Sequence, residues 1–305
     1  MPVNVPDGLP AIETLSKENI FLMTEARART QDIRPLEIAV LNLMPTKIDT
    51  ETQLIRLLSN SPLQVHLTLI SMSGHVSKNT SAAHMEAFYI SSDKALARRF
   101  DGLILTGAPV ETLPFGQVDY WERLAEVFEW SRANVFSSMY ICWGANAALW
   151  HFYHIDKRLM TKKLSGVYKL DIYDATNPLM RGFDDHFYMP QSRYATVAHE
   201  DLASSGLQIL AGSKEAGAVI FSQPGNRQVF VTGHLEYDIL TLDREYRRDV
   251  SAGLPIDVPV NYYPDDDPDR LPQICWRTYG HQFFANWLNH CVYQETPFDL
   301  RDIPE

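Results

Sequence analysis

The chain of 305 residues is poor in cysteine, has no excess of positive charge and has no long apolar run, and each shortage excludes something. Its three cysteines, Cys142, Cys275 and Cys291, cannot all pair with one another, and their wide separation lacks the CxxC spacing of a zinc site. The ten histidines include no HxxxH or HExxH grouping, so no metal site is expected. Lys and Arg total 27 against 38 for Asp and Glu, a formal charge of -11. Such a surface repels a phosphate backbone, so no nucleic-acid partner is expected; a local basic patch could still hold one anionic small molecule. No stretch approaches about 18 consecutive apolar residues, so no membrane span is expected. The opening residues have neither a basic n-region nor an apolar h-region, so no signal peptide is expected either. The expected location is the reducing cytosol.

What is present is the balance of an ordinary soluble protein, with 45% apolar and 21% charged residues. Pro2, Pro6, Pro10 and Pro35 and weak periodicity mark residues 1–35 as an arm laid over a single domain of residues 36–305. Strands are expected at 37–43, 65–70, 102–107, 139–141, 208–210, 218–221 and 228–231, where short apolar runs end in turn residues. Helices are expected at 49–58, 119–130, 145–153, 238–250 and 278–293. Residues 260–273 (VNYYPDDDPDRLPQ) form an acidic, proline-rich surface loop. Strands alternating with helices of this length point to an α/β fold, a mostly parallel sheet with helices on both faces. Chemistry in such sheets sits at the carboxyl ends of the strands.

Two strand ends carry unusual residues. Tyr140-Ile141-Cys142-Trp143-Gly144 runs from an apolar strand into cysteine and then into a small-residue helix (Ala145, Ala147, Ala148). A sharp strand-to-helix turn projects a nucleophile out of the sheet, and a helix N-terminus favours a thiolate. Position alone also allows Cys142 to be a buried small apolar residue. The second end, Val229-Phe230-Val231-Thr232-Gly233-His234-Leu235-Glu236, finishes in Gly-His-x-Glu. A thiol nucleophile needs a base, and the base needs a carboxylate to hold its ring in one tautomer. Neither feature is specific alone, but the two reinforce each other.

A cysteine elbow followed by GHxE resembles the class I glutamine amidotransferase-like (flavodoxin-like) fold, and the whole chain resembles the MetA family of homoserine O-acyltransferases. The family segments run through Ile33-Arg34-Pro35-Leu36, Leu41-Asn42-Leu43-Met44-Pro45-Thr46-Lys47 and Leu58-Ser59-Asn60-Ser61-Pro62-Leu63-Gln64-Val65. Thr106-Gly107-Ala108-Pro109-Val110-Glu111, Lys163-Leu164-Ser165-Gly166-Val167, Gly182-Phe183-Asp184-Asp185 and Tyr293-Gln294-Glu295-Thr296-Pro297 continue the match. The resemblance implies that Cys142 takes an acyl group from acyl-CoA as a thioester, with His234 as base and Glu236 as its orienting carboxylate. It also implies an oxyanion hole from backbone amides near Lys47 and Trp143, and amino-acid binding by Lys163, Ser192 and Arg248. Acetyl-CoA is then a co-substrate and no further cofactor is expected. A homodimer is expected by the same resemblance, helped by the arm and the apolar C-terminal helix (Phe283, Phe284, Trp287, Leu288). Arg98, Arg99 and Arg193 are candidates for the CoA phosphates by charge alone.

Several positions depart from the family pattern. Gln191 stands where His is common, Asn146 where Gln is usual, His154 where Gly is common, and Leu235 fills the middle of GHxE. Arg277-Thr278-Tyr279-Gly280-His281 also differs. These leave Cys142, His234, Glu236 and Glu111 untouched but bear on the acceptor, because L-serine is one methylene shorter than L-homoserine. The expected reaction is acetylation of L-homoserine for methionine biosynthesis, with L-serine acetylation (cysteine biosynthesis) as the alternative. A glutamine amidotransferase would usually carry Gly where this chain has Tyr140, and a non-catalytic binding protein would be expected to have lost a triad member.

In the family, glutamate at position 111 accompanies acetyl-CoA and glycine accompanies succinyl-CoA. Two like charges ~5 Å apart at an effective dielectric of ~20 repel by roughly 3 kcal/mol, a discrimination above a hundredfold. Glu111→Gly is therefore expected to admit succinyl-CoA, measured as kcat/KM for the two donors; an unchanged acyl preference contradicts the assignment.

Overall fold

The apolar runs become strands because alternate side chains each find a buried face. The computed structural model describes residues 3–18, 23–24, 34–75 and 79–304. Its strands are β1 (Val3–Val5), β2 (Met23–Thr24), β3 (Leu36–Leu41), β4 (Val65–Ser71), β5 (Tyr89–Ser91) and β6 (Phe100–Leu105). They continue with β7 (Val135–Ile141), β8 (Arg158–Ile172), β9 (His186–Thr196), β10 (Gln208–Ser213), β11 (Gly217–Ser222) and β12 (Gln228–Val231). All join one sheet in the order β2-β1-β4-β3-β6-β7-β12-β11-β10-β8-β9, with β5 also paired to β4. Pairing is parallel from β2 to β12 and antiparallel from β12 to β9.

The central parallel strands sort their residues onto two cores. Ile38, Val40, Ile104, Met139, Ile141 and Val231 meet the Lys47–Leu58 helix (Leu54, Ile55, Leu58) and the C-terminal Arg277–Asn286 helix (Phe283, Phe284). Ala39, Leu41, Leu103, Leu105, Tyr140 and Phe230 meet the Trp121–Asn134 helix (Leu124, Phe128) and the Trp143–Tyr153 helix (Ala145, Ala148, Leu149). Both faces are covered, which is why these strands read as continuous apolar runs and not as polar–apolar alternation. Each Leu, Ile or Phe so buried contributes about 1.5–3 kcal/mol.

The mixed α/β architecture is as expected, with differences in detail. The helix expected at 238–250 begins at Thr241, and the one expected at 278–293 runs over Arg277–Asn286 before widening into a π-helical turn at Trp287–Tyr293. The long antiparallel strands β8 and β9 were not foreseen, because much of β8 (RLMTKK) is exposed and polar and shows no buried face. Phe283, Phe284, Trp287 and Leu288 are all within 1% of complete burial inside the chain, so they offer no apolar face to a second copy. In the expected N-terminal arm, β1 extends the sheet and Leu15 of the Ala11–Lys17 helix enters the core. Residues 1–2, 19–22 and 25–33 of that arm lie outside the described residues.

Gly144 is where the Trp143–Tyr153 helix approaches β6. A Cβ there would lie 2.6 Å from Leu105 Cδ2 and 2.7 Å from the Thr106 carbonyl oxygen. Gly144→Ala should cost about 1–3 kcal/mol by overpacking, read as a fall in Tm of at least ~2 °C. Gly116→Ala, where no atom lies within 4 Å of the added carbon, is the control expected to leave Tm unchanged.

Candidate active site

Cys142 follows β7 directly and caps the Trp143–Tyr153 helix with φ 52° and ψ −118°. A non-glycine residue holds such a backbone only when its surroundings impose it, at a cost of about 1–3 kcal/mol. Part of that imposition is the Cys142 amide, which donates to the Val231 carbonyl at 2.7 Å. β12 lies beside β7 in parallel register, Val231 opposite Ile141, so the residues leaving the two strands emerge side by side. His234 is thereby brought to Cys142, and its own amide is anchored on the Pro190 carbonyl at 2.9 Å.

His234 Nδ1 and Glu236 Oε1 are 2.6 Å apart, and the imidazole and carboxylate are 3% and 9% exposed. Burial alone disfavours a charged ring. The Glu236 carboxylate and the hydrogen-bonded Cys142 sulfur outweigh it and raise the His234 pKa well above its usual range. Tyr237 stacks on the imidazole with centroids 4.0 Å apart. Burial first, then the neighbouring carboxylate of Glu245, keeps that phenol protonated.

These groups open on a cavity of about 420 Å³. Cys142, His234, Glu111, Lys163, Ser192 and Arg248 all line it, so residues scattered from 111 to 248 in the sequence share one chamber. Glu111 enters from the loop after β6. Burial raises its pKa, against the opposing pull of the Tyr194 amide and the charges of Lys163, His234 and Arg193. Its Oε2 has no hydrogen-bond partner among the described residues. Lys163 comes from β8 and Ser192 from β9, the latter paired with Ser165 across the ladder. Arg248 lies on the Thr241–Ser251 helix, exposed, with its guanidinium on Asp249.

Lys47 and Trp143 are not among the residues that line the chamber. Each is the first residue of a helix, a position whose amide has no intrahelical acceptor. The Trp143 ring is fully buried between Phe115 and Tyr120, leaving only its backbone available to the site. Gly107 faces the sulfur: a Cβ there would lie 3.7 Å from both Cys142 Sγ and Met44 Sδ, so the Met44 side chain comes to the same side of Gly107 as the sulfur.

Sequence reasoning missed two carboxylates of the chamber lining, Glu245 and Asp249. Glu245 accepts from Ser192 Oγ and, at 2.8 Å, from Tyr237 Oη. Asp249 accepts from Lys163 Nζ at 2.9 Å and from Arg248 Nε at 2.8 Å. Burial works against ionisation of Asp249, yet these two cations hold its carboxyl below the usual range. The available signal was spacing. Thr241, Glu245, Arg248 and Asp249 fall at i, i+4, i+7 and i+8, which puts them on one helix face.

The proposed phosphate ligands do not gather here. Arg98 and Arg99 precede β6, at the opposite end of the sheet, where they bond to Glu37 and to the carbonyls of Leu300 and Arg301. Arg193 is 2% exposed and donates inward to Gln191, Ala195 and Ala216. Burial brings its pKa down to about 10. The departures from the family pattern also lie off the chamber. Gln191 is packed behind Gly233, Asn146 is buried in its helix, and His281 and Leu235 line a neighbouring cavity that shares Gln53, Tyr237 and Arg244 with the chamber. His154 is the left-handed C-cap of the Trp143–Tyr153 helix (φ 56°), a conformation that glycine adopts most readily.

Among the described residues no helix is long and apolar enough to cross a membrane. In solved structures, the sheet resembles a glutamine amidotransferase from Thermotoga maritima (TM-score 0.58, 10% identity, 86% of this chain and 100% of that one). It also resembles a glutamine amidotransferase from Methylobacillus flagellatus (TM-score 0.52, 9% identity, 85% and 96%). At such identities the likeness is one of fold, the class I glutamine amidotransferase-like one. In sequence, the chain is 52% identical to a homoserine O-acetyltransferase of Petrotoga mobilis over 100% of this chain and 99% of that protein. A homoserine O-acetyltransferase of Thermotoga neapolitana is 53% identical over 99% and 100%. Residues 2–298 match the homoserine O-succinyltransferase family. This chain therefore belongs to that family of O-acyltransferases.

Proposed function

We propose that the protein transfers an acetyl group from acetyl-CoA to the side-chain hydroxyl of L-homoserine through an acetyl thioester on Cys142, giving O-acetyl-L-homoserine for methionine biosynthesis. The observation that carries this reading is that Cys142 and His234, with His234 bonded to Glu236, open on a chamber lined also by Glu111 and by paired charges of both signs. With Nδ1 engaged by Glu236, Nε2 is the nitrogen left to take the thiol proton. The sulfur attacks the thioester carbonyl, the carbon–sulfur bond to CoA breaks, and the departing CoA thiolate recovers the proton. The Lys47 and Trp143 amides receive the oxyanion. In the second half-reaction His234 deprotonates the acceptor hydroxyl, which attacks the acetyl-Cys142 carbonyl and releases the thiol.

The chamber lining suits a free amino acid. Arg248 and Lys163 attract the α-carboxylate, a task the planar guanidinium performs in bidentate fashion. Glu245, held by Ser192 and Tyr237, faces the same chamber and takes the α-ammonium. Glu111 accounts for the choice of acetyl: an ionised succinyl tail would meet a carboxylate that is already costly to bury. Because none of the departures from the family pattern lines the chamber, homoserine is preferred to serine in this reading.

Release of CoA from acetyl-CoA with L-homoserine or L-serine, run in parallel, tests the acceptor. The expected kcat/KM ratio is about 10–200 in favour of homoserine, the range one methylene supports; a serine preference overturns it. Cys142→Ala should lower kcat by roughly 10⁴-fold or more and abolish the thioester seen by intact-protein mass spectrometry. Glu245→Gln should raise KM for homoserine by about 10–100-fold, the value of a charged hydrogen bond, with KM for acetyl-CoA little changed.

A further inference from the structure

A buried polar cluster outside the chamber is not used by the chemistry above. Glu51, one helical turn beyond Lys47, is 1% exposed and accepts from Tyr89 Oη at 2.6 Å, while His84 Nε2 lies 3.0 Å from the same carboxylate. Tyr89 Oη in turn accepts from Asn42 Nδ2 at 2.9 Å. Asn42 then grips the segment leading to the helix. Its Oδ1 accepts from the Met44 amide at 3.1 Å, and its Nδ2 also reaches the Lys47 carbonyl at 3.3 Å. Lys47 closes the loop from inside, its ammonium donating to the Asn42 carbonyl at 2.6 Å and to the Met44 carbonyl at 3.4 Å.

We propose that His84, Glu51, Tyr89 and Asn42 are positioning residues for the oxyanion site. They hold the Leu43–Lys47 segment in the single conformation that presents the Lys47 amide to the acyl oxygen on Cys142. The inference rests on the reading above that this amide receives the oxyanion. Two further features support it. The segment is also tied to the nucleophile's side of the sheet, the Leu43 amide donating to Thr106 Oγ1 at 2.8 Å. Glu51, His84 and Tyr89 do not line the chamber, so they touch no substrate bound in it. A buried cation at Lys47 requires a nearby carboxylate, and Glu51 meets that need while remaining hydrogen-bonded on both sides. Burial lowers the Lys47 pKa to about 8, with Glu51 opposing the shift.

The test separates oxyanion stabilisation from nucleophile activation. Tyr89→Phe removes the hydroxyl that joins Asn42 to Glu51, and Glu51→Gln removes the charge while keeping the shape. Each variant is compared with the wild type in the rate of acetyl-thioester formation on Cys142 and in alkylation by iodoacetamide, which passes through no oxyanion. Thioester formation should slow by about 10–100-fold, with KM for acetyl-CoA unchanged, while alkylation stays within about twofold. Equal losses in both reactions show a general structural disturbance and overturn the proposal, as does no loss in either. If Glu51→Gln does not fold, Tyr89→Phe alone decides. A wild type that forms no thioester at all would refute the proposed function; a normal wild type with unaffected variants would refute only the positioning role.

Discussion

The pairing of β12 with β7 is the constraint on which the site depends. With Val231 opposite Ile141 in parallel register, the chain leaving β7 as Cys142 and the chain leaving β12 as Gly233-His234 must emerge at the same edge. The same neighbouring strand also accepts the Cys142 amide and so sustains the strained elbow. A slip of one residue would reverse the faces of β12, turning Val229 and Val231 out of one core and Phe230 out of the other. The two hydrophobic cores therefore hold Cys142 and His234 side by side: moving the register means losing both.

Charge is arranged in the chamber by burial and pairing together. His234 is buried but ringed by Glu236 and the cysteine sulfur, which is what lets an imidazole far from water remain ready to carry a proton. Lys163, with its side chain 6% exposed, is tolerable only because Asp249 and Glu245 stand 2.9 and 3.7 Å away. Removing either partner leaves an uncompensated charge in the chamber. The same physics places Arg193 beyond the reach of a phosphate: three inward hydrogen bonds hold it where solvent and ligand do not enter.

Much of this was legible along the chain because it depends on local order. The apolar run into Cys142 followed by small residues signalled the elbow, and Gly-His-x-Glu signalled the base with its carboxylate. The central strands stood out because both of their faces are buried. β8 did not, since its first half, Arg158 to Lys163, is largely polar and exposed and masks the apolar face that begins at Leu164. Charge alone nominated Arg98 and Arg99, but charge says nothing about which end of a strand a residue occupies.

By itself the sequence determined the central strands and helices, the elbow at Cys142, the Gly-His-x-Glu strand end and the family, because these depend on residue kind at short spacing. Only the tertiary structure decided which distant residues share the chamber. Glu245 and Asp249 belong to it because one helix turns that face inward; Arg193 is excluded because its guanidinium is drawn into the protein. Long-range proximity follows from sheet order and packing, and neither is encoded in any one segment.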